Sequence, residues 1–295
     1  MNKFSIKDIE NLTGIKAHTI RIWEQRYNIL QPKRTPTNIR YYDADDLKMA
    51  LRISMLNAYG YKISRIHQMS DAEMTGLISK IGDRDFRLKS QVNDLLECAL
   101  ALDVDRFEEQ IDNYSRRNGM EATIEVLVFS FLEKIGLMWM TDRLVPAQEH
   151  LAANVIFRKI AVAIEKISTE YRDEEEIVLF LPEGEIHDIG LFYAYYLLRK
   201  AGRRVLYLGA NTPLEDVQAV SEVREIKNVY VHLTASAATF NPKIYLQRMA
   251  DALPKAEVWV SGAVLTQKKL PDRPRFHYLY TLEEVREKLV AGSLV

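Results

Sequence analysis

Apolar residues recur along this chain with two different periods, and the change from one to the other divides it. Ile6, Ile9 and Leu12 lie on one side of a short helix over residues 5–13, with Ser5 as its cap and Gly14 as its end. A second helix covers about 16–27 and buries Ile20, with Trp23 and Tyr27 at near-helical spacing. Pro32 and Pro36 break that pattern. Arg34 to Tyr42 has turn residues in the middle and an aromatic pair at the end, which fits a small hairpin or wing. Asp43 caps a third helix over about 44–58, and Gly60 separates it from another that starts near Ser64.

From about 83 to 171 the spacing is helical throughout. Leu88, Val92, Leu95 and Leu96 form one amphipathic face, and Phe107, Ile111 and Tyr114 a second. The stretch from Met120 to Trp139 is apolar almost all round, as an internal helix is. Pro146 suits the first turn of a further helix that continues through Ile156, Ile160, Ile164 and Ile167. Four helices with short connections make a bundle. Past the acidic stretch Asp173-Glu174-Glu175-Glu176 the period changes. Ile177–Leu181, Arg204–Leu208, Val229–Leu233 and Glu257–Ser261 are short β-rich runs separated by helix-length stretches, and Tyr278–Tyr280 is a candidate fifth. The expected architecture is multi-domain. It comprises an all-α winged helix-turn-helix head (1–75), a four-helix bundle (80–172) and an α/β doubly wound, Rossmann-like parallel-sheet domain (175–295).

Charge sharpens the picture of the head. The chain is near neutral overall, yet Lys16, Arg21, Arg26, Lys33, Arg34 and Arg40 face a single acid, Glu24, between Lys16 and Tyr42. A local positive patch on a neutral protein points to a phosphate-contacting face confined to one domain. Helix, tight turn, helix and basic wing is a common way to read duplex DNA, with the second helix in the major groove and wing cations on the phosphates. No apolar run approaches the ~20 residues that a bilayer span needs. The start of the chain lacks an apolar signal core, so a cytoplasmic location is expected and no membrane partner. Cys98 is the single cysteine, which rules out an intramolecular disulfide and a cysteine metal cluster.

The candidate chemistry sits after the first β run. Residues 185–190 read Glu-Ile-His-Asp-Ile-Gly, directly after Ile177–Leu181. An acid two positions before a histidine, on a loop leaving a buried strand, prepares an imidazole for a metal: the carboxylate takes one ring proton and leaves the other nitrogen facing outward. A histidine on a loop is by itself more often structural, so context has to raise the reading. No catalytic constellation stands out, and the chain is not expected to be an enzyme.

Thr19-Ile20-Arg21-Ile22-Trp23-Glu24-Gln25-Arg26-Tyr27, followed by Pro32-Lys33-Arg34 and Arg40-Tyr41-Tyr42, resembles the MerR family of transcription regulators over about the first 70 residues. The Trp-Glu-Gln-Arg-Tyr variant is similar to its cobalamin-linked light-response branch, the CarA/CarH/LitR type. The resemblance implies double-stranded operator DNA as partner. His18, Thr19 and Arg21 would face base edges or phosphates, while Arg34, Arg40 and Tyr41 would grip backbone from the wing; Lys16 belongs to the same basic set. Trp23 and Tyr27 read as core aromatics. Asn38 stands where the family usually has Gly in the wing turn, and Asn also tolerates a left-handed backbone.

Glu185-x-His187-x-x-Gly190, with the run Leu206–Pro213 that ends the next strand in a turn, is similar to the cobalamin-binding domain of methionine synthases, mutases and the same regulators. That resemblance implies cobalamin as cofactor, His187 as the cobalt ligand, Glu185 as its orienting carboxylate, and Gly190 as room for the following helix near the corrin. Imidazole is a suitable cobalt donor. The slot for the nucleotide tail would involve Thr234 and Ser236 in Leu233-Thr234-Ala235-Ser236, and Ser261-Gly262, where serine replaces one of a usual glycine pair. Trp139, followed by Glu149-His150, is similar to the motif that encloses the upper axial group, typically 5′-deoxyadenosyl, which makes adenosylcobalamin the expected form. Light-sensing relatives carry a histidine right after that tryptophan; Met140 stands there here, and a thioether is a softer and weaker ligand for oxidised cobalt. His67, His232 and His277 read as structural or surface residues.

These readings converge on a repressor whose operator binding and oligomeric state, dimer or tetramer, respond to cobalamin docked between bundle and α/β domain, with photolysis as a signal. One rival is a MerR-type regulator without cofactor, whose drifted sensor domain binds a protein partner. A corrinoid carrier or enzyme is the other.

Overall fold

The computed structural model describes residues 2–81, 83–141, 143–168, 170–171, 175–234 and 240–291. It divides into two compact units, Met1–Ile156 and Phe157–Val295. The head and the bundle thus share one unit, and the boundary falls inside the last bundle helix instead of the acidic stretch.

In the first unit, α1 (Ile6–Thr13) opens on a capping box in which Ser5 and Asp8 satisfy each other's backbone amides, and it closes on left-handed Gly14. After α2 (Ala17–Tyr27), β1 (Lys33–Arg34) and β2 (Arg40–Tyr41) pair antiparallel as the wing. The wing turn runs through Asn38 at φ 65°, the left-handed conformation expected there. Then come α3 (Ala44–Ala58), boxed by Asp43 and Asp46, the single turn α4 (Ile63–Ile66), and α5 (Asp71–Lys80). Ile53, Leu56, Ile66, Met74 and Ile78 close the core of the head, with Trp23 packed on it.

The bundle is built from α6 (Arg84–Ala101), α7 (Val104–Ala122), α8 (Phe129–Met140) and α9 (Pro146–Glu165). Its third helix is less regular than the apolar run implies. Gly119, at φ 81° and ψ 165°, kinks α7, and Thr123–Val128 form a π-helical stretch before α8. Val92, Leu95, Leu96, Ile111 and the edge-to-face pair Phe107–Phe131 fill the interior. Cys98 is buried there, and burial pushes its thiol up to about 11, which keeps it a protonated packing group.

The second unit alternates strand and helix: β3 (Glu176–Pro182), α10 (Ile189–Lys200), β4 (Arg204–Thr212), α11 (Leu214–Val223), β5 (Asn228–His232), α12 (Pro242–Ala252), β6 (Glu257–Ser261), α13 (Val264–Gln267), β7 (Phe276–Leu279) and α14 (Leu282–Val285), then a π-helical Arg286–Ala291. The strands form one parallel sheet in the order β4-β3-β5-β6-β7. Period-two alternation splits its side chains. Val229, Val231, Val258 and Val260 meet Leu246 and Met249 of α12 on one face, while Ile177, Leu179, Tyr230 and Trp259 meet Leu191, Ala194 and Leu198 of α10 on the other. β4 runs on through Gly209, beyond the Arg204–Leu208 run of the sequence, because β3 supplies partners as far as Pro182↔Thr212 across two register shifts. Among the described residues, no helix is long and apolar enough to cross a membrane.

Candidate functional site: a strand-end histidine and a basic winged head

Chain order and strand order reverse direction at β3, whose neighbours are β4 on one side and β5 on the other. In open α/β sheets, ligands bind beyond the carboxyl ends of the strands at such a switch point. The loop after β3 carries Glu185 and His187, and the chain leaving β5 carries Thr234.

These three side chains form one hydrogen-bonded set. His187 Nδ1 donates to Glu185 Oε1 at 2.8 Å, the His187 backbone amide donates to the same oxygen at 3.1 Å, and Thr234 Oγ1 donates to Oε2 at 2.5 Å. Glu185 is 8% exposed. Burial alone pushes its carboxyl up, but the bonds from His187 and Thr234 outweigh that and hold it at about 2. It therefore stays an acceptor at neutral pH, which assigns the ring proton to Nδ1 and makes Nε2 the nitrogen offered to a metal. The imidazole itself is half exposed. One imidazole is too few to hold a bare ion, but it suits a metal that arrives with its own equatorial ligands.

A cavity of about 400 Å³ opens beside Gly184 and Glu185, lined further by Leu214, Phe240, Tyr245 and Arg248. Tyr245 is one of the lining residues, and its hydroxyl is buried with no hydrogen-bond partner among the described residues. An orphaned buried donor is costly unless a ligand satisfies it, so the chemistry of the lining fits a bound group with polar acceptors. Neither Tyr245 nor Arg248 stands in a motif that a sequence reading flags, and their place is set by the packing of α12.

The other residues assigned to the cofactor fall differently. Ser261 is buried among protein groups: its Oγ lies 2.6 Å from the Tyr230 hydroxyl and 2.9 Å from His232 Nδ1. Its side chain is thus held by protein groups at the end of β6. Gly262, at φ +103°, is required by the fold itself, since a Cβ there would stand 2.3 Å from the Leu233 carbonyl oxygen. Gly190 likewise has an internal reason: a Cβ would meet His232 Nε2 at 2.5 Å. His232 is partly buried, and desolvation pulls its imidazole down to about 4, so it packs as a neutral ring. Thr234 acts on Glu185, and Ser236 lies outside the described residues.

In the first unit, Trp139 stands near the end of α8 and is 49% exposed, while Glu149 and His150 lie in the first turns of α9 and pair with each other at 2.8 Å. A large indole left half in solvent is unusual for a core aromatic. On the head, His18, Arg21, Arg34 and Arg40 are exposed on α2 and the wing, and Thr19 and Tyr41 are partly so. Arg34 also braces the wing turn through Asn38 Oδ1 at 2.7 Å, and Lys16 pairs with Glu10 at 3.0 Å. Tyr27 packs on His67 as expected of a structural aromatic.

Residues 4–73 match the MerR HTH family regulatory protein family, and residues 91–164 match the B12 binding domain family. Over 269 residues the chain is 30% identical to the HTH-type transcriptional repressor CarH of Myxococcus xanthus, covering 88% of this chain and 89% of the relative. The chain belongs to the MerR family. The HTH-type transcriptional repressor CarA of the same organism is 26% identical over 218 residues, covering 72% of this chain and 70% of that one. In fold alone, this MerR-family chain is similar to the monomethylamine corrinoid protein of Methanosarcina barkeri, with a TM-score of 0.54 at 13% identity over 69% of this chain and 99% of the other. The head therefore reads as a MerR-type DNA-binding domain, joined to a helical module that matches the B12 binding domain family and to an α/β module with the fold of a corrinoid protein.

Proposed function

We propose that the chain is a cobalamin-responsive, operator-binding transcription regulator that acts as a repressor. The observation that carries the reading is the Glu185–His187–Thr234 set at the sheet's switch point, on a chain that opens with a basic winged helix-turn-helix.

In this reading His187 would hold the cobalt through Nε2, and Glu185 and Thr234 would orient its ring. A carboxylate that remains ionised to about pH 2 holds the Nδ1 proton, so the ring does not change tautomer over the pH range of a cell. Tyr245 donates its orphaned hydroxyl to the polar periphery or tail of the bound group. Trp139, Glu149 and His150 would enclose the organic group carried by the cobalt. Adenosylcobalamin, when bound, supplies a cobalt–carbon bond that light can break.

On DNA, His18, Thr19 and Arg21 read the major groove from α2, and Lys16, Arg34, Arg40 and Tyr41 hold phosphates. Two heads linked in an oligomer gain affinity through effective concentration, so a change in association state is an efficient switch of operator binding. A carrier or enzyme reading has no use for this basic head.

The test is an absorption spectrum after incubation with adenosylcobalamin and desalting in the dark, beside His187→Ala, followed by operator titration with and without cofactor, in dark and after green light. Retained corrin bands of a histidine-ligated form, lost in His187→Ala and accompanied by a cofactor-dependent operator affinity, are expected. A colourless wild type would overturn the reading and favour a protein partner for the sensor domain.

A further inference from the structure

The turn between α8 and α9 separates Trp139 from Glu149-His150, and it is also where the bundle grips the head. Arg143 Nε donates to Asp8 Oδ2 at 2.6 Å. Asp8 is 5% exposed, and the same oxygen accepts from the amide and the hydroxyl of Ser5, each at 2.6 Å. The carboxylate that caps α1 is therefore the one Arg143 holds. Asn2 closes the contact from the other side. Its amide nitrogen donates to the Arg143 carbonyl at 2.6 Å and to Gln148 Oε1 at 2.9 Å, and Gln148 Nε2 donates back to Asn2 Oδ1 at 3.1 Å. Gln148, 5% exposed, also donates to the Leu100 carbonyl of α6 at 2.7 Å and accepts from the Val145 amide at 3.1 Å.

The segment that Asn2 begins leads straight to the DNA-reading elements. Phe4, wholly buried, exchanges two backbone hydrogen bonds of 2.8 Å with Tyr42, the residue after wing strand β2. The Tyr42 hydroxyl donates to Glu24 of α2. Hydrogen bonds joined by the short backbone segment Asn2–Ser5 thus lead from the turn, through Asn2, Asp8 and Phe4, to the wing and the second helix. Buried polar groups keep their partners, so a shift of the turn is passed to the head or leaves Asp8 and Gln148 unsatisfied. A second tie between head and bundle is separate from the turn: Glu97 of α6 receives Lys48 at 2.5 Å and Arg52 at 3.8 Å from α3, and Arg106 at 3.2 Å from α7.

We infer that Arg143, Gln148 and Asn2 are positioning residues that transmit occupancy at Trp139, Glu149 and His150 to the wing and the second helix. This names the regulation of the site proposed above and rests on that reading. It places the coupling within one protomer, alongside any change of association state.

The experiment compares wild type, Arg143→Gln, Asn2→Ala and Glu97→Gln. The readouts are amide hydrogen exchange at 2–8 and 40–43 without cofactor, corrin retention, and the ratio of operator affinities with and without adenosylcobalamin in the dark. For a wild type whose ratio lies in the range of roughly 5- to 150-fold, Arg143→Gln and Asn2→Ala should bring it to within about twofold of unity while keeping the corrin bands. Both should also exchange about tenfold faster at 2–8 and 40–43 than wild type. Glu97→Gln should keep the wild-type ratio, which separates this path from general loosening of the head. A wild-type ratio in Arg143→Gln and Asn2→Ala, or unchanged exchange at those segments, overturns the inference. A wild type that takes up no corrin sinks the cobalamin reading instead, and the exchange comparison then decides by itself whether the turn holds the wing.

Discussion

Replacing Glu185 by Gln tests the electrostatics of the site without changing its shape. Gln keeps an oxygen that accepts from His187 and turns its NH2 towards Thr234 Oγ1, which can accept from it, but it cannot carry the charge. In the folded chain the Glu185 carboxyl lies at about 2 against an ordinary value of 4.5. Its folded value is depressed, so the stability it contributes is fully present above the unfolded value and is lost as pH falls through the folded one. That gap is worth about 3.5 kcal/mol at pH 7, of which about 1.5 kcal/mol survives at pH 3. The stability difference between wild type and Glu185→Gln should therefore shrink by about 2 kcal/mol from pH 7 to pH 3. Trp259 is buried in the second unit and reports its unfolding in urea once Trp23 and Trp139 are changed to Phe. A difference that stays constant from pH 7 to pH 3 would refute the argument, as would a Gln variant as stable as wild type at pH 7.

Four further outcomes follow from the geometry. Gly262→Ala drives a Cβ to 2.3 Å from a backbone oxygen at a left-handed position, and should cost the second unit on the order of 3 kcal/mol or more in a thermal melt; a loss below about 1 kcal/mol contradicts it. Gly190→Ala should cost about 1–3 kcal/mol by crowding His232, and a His232→Ala background should relieve most of that penalty; strictly additive losses would show that the imidazole is not the obstacle. Tyr245→Phe removes an orphaned hydroxyl, so the cofactor-free protein should be as stable or up to about 1 kcal/mol more stable while retaining less corrin on dialysis. A clear drop in melting temperature would mean the hydroxyl already has a partner. Arg40→Ala should lower the slope of log affinity against log salt by about 1 on any duplex, whereas an unchanged slope would remove Arg40 from the phosphate contacts.

Much of the head was legible along the chain because its signals are local. Ser5 with Asp8, and Asp43 with Asp46, are capping boxes written in four consecutive residues, and Gly14 and Asn38 sit where a left-handed backbone is needed. The apolar runs at 177–181, 229–233 and 257–261 announced buried strands for the same reason, since each is apolar on both faces. The Glu185–His187 pair, two residues apart on one loop, was visible as a pair; its third member was not. Thr234 reaches Glu185 from another strand end, 49 positions away, and only the adjacency of β3 and β5 brings them together.

Where the sequence reading went astray, the deciding contact was distant. The β run from Arg204 reads as ending at Leu208, yet the strand continues through Gly209 to Thr212 because β3 lies alongside and pairs with it that far. The contacts of Ser261 with Tyr230 and His232 likewise have no local mark, because strand register sets which face its side chain takes. The tie between Asp8 and Arg143 spans 135 positions and has no local mark at either end. Period, caps and turn chemistry are properties of a few neighbouring residues, so the sequence alone determined the elements, the basic wing and the prepared imidazole. Strand order, the orphaned Tyr245 hydroxyl and the grip of the bundle on the head depend on which surfaces meet after the chain has closed, and only the tertiary structure decided them.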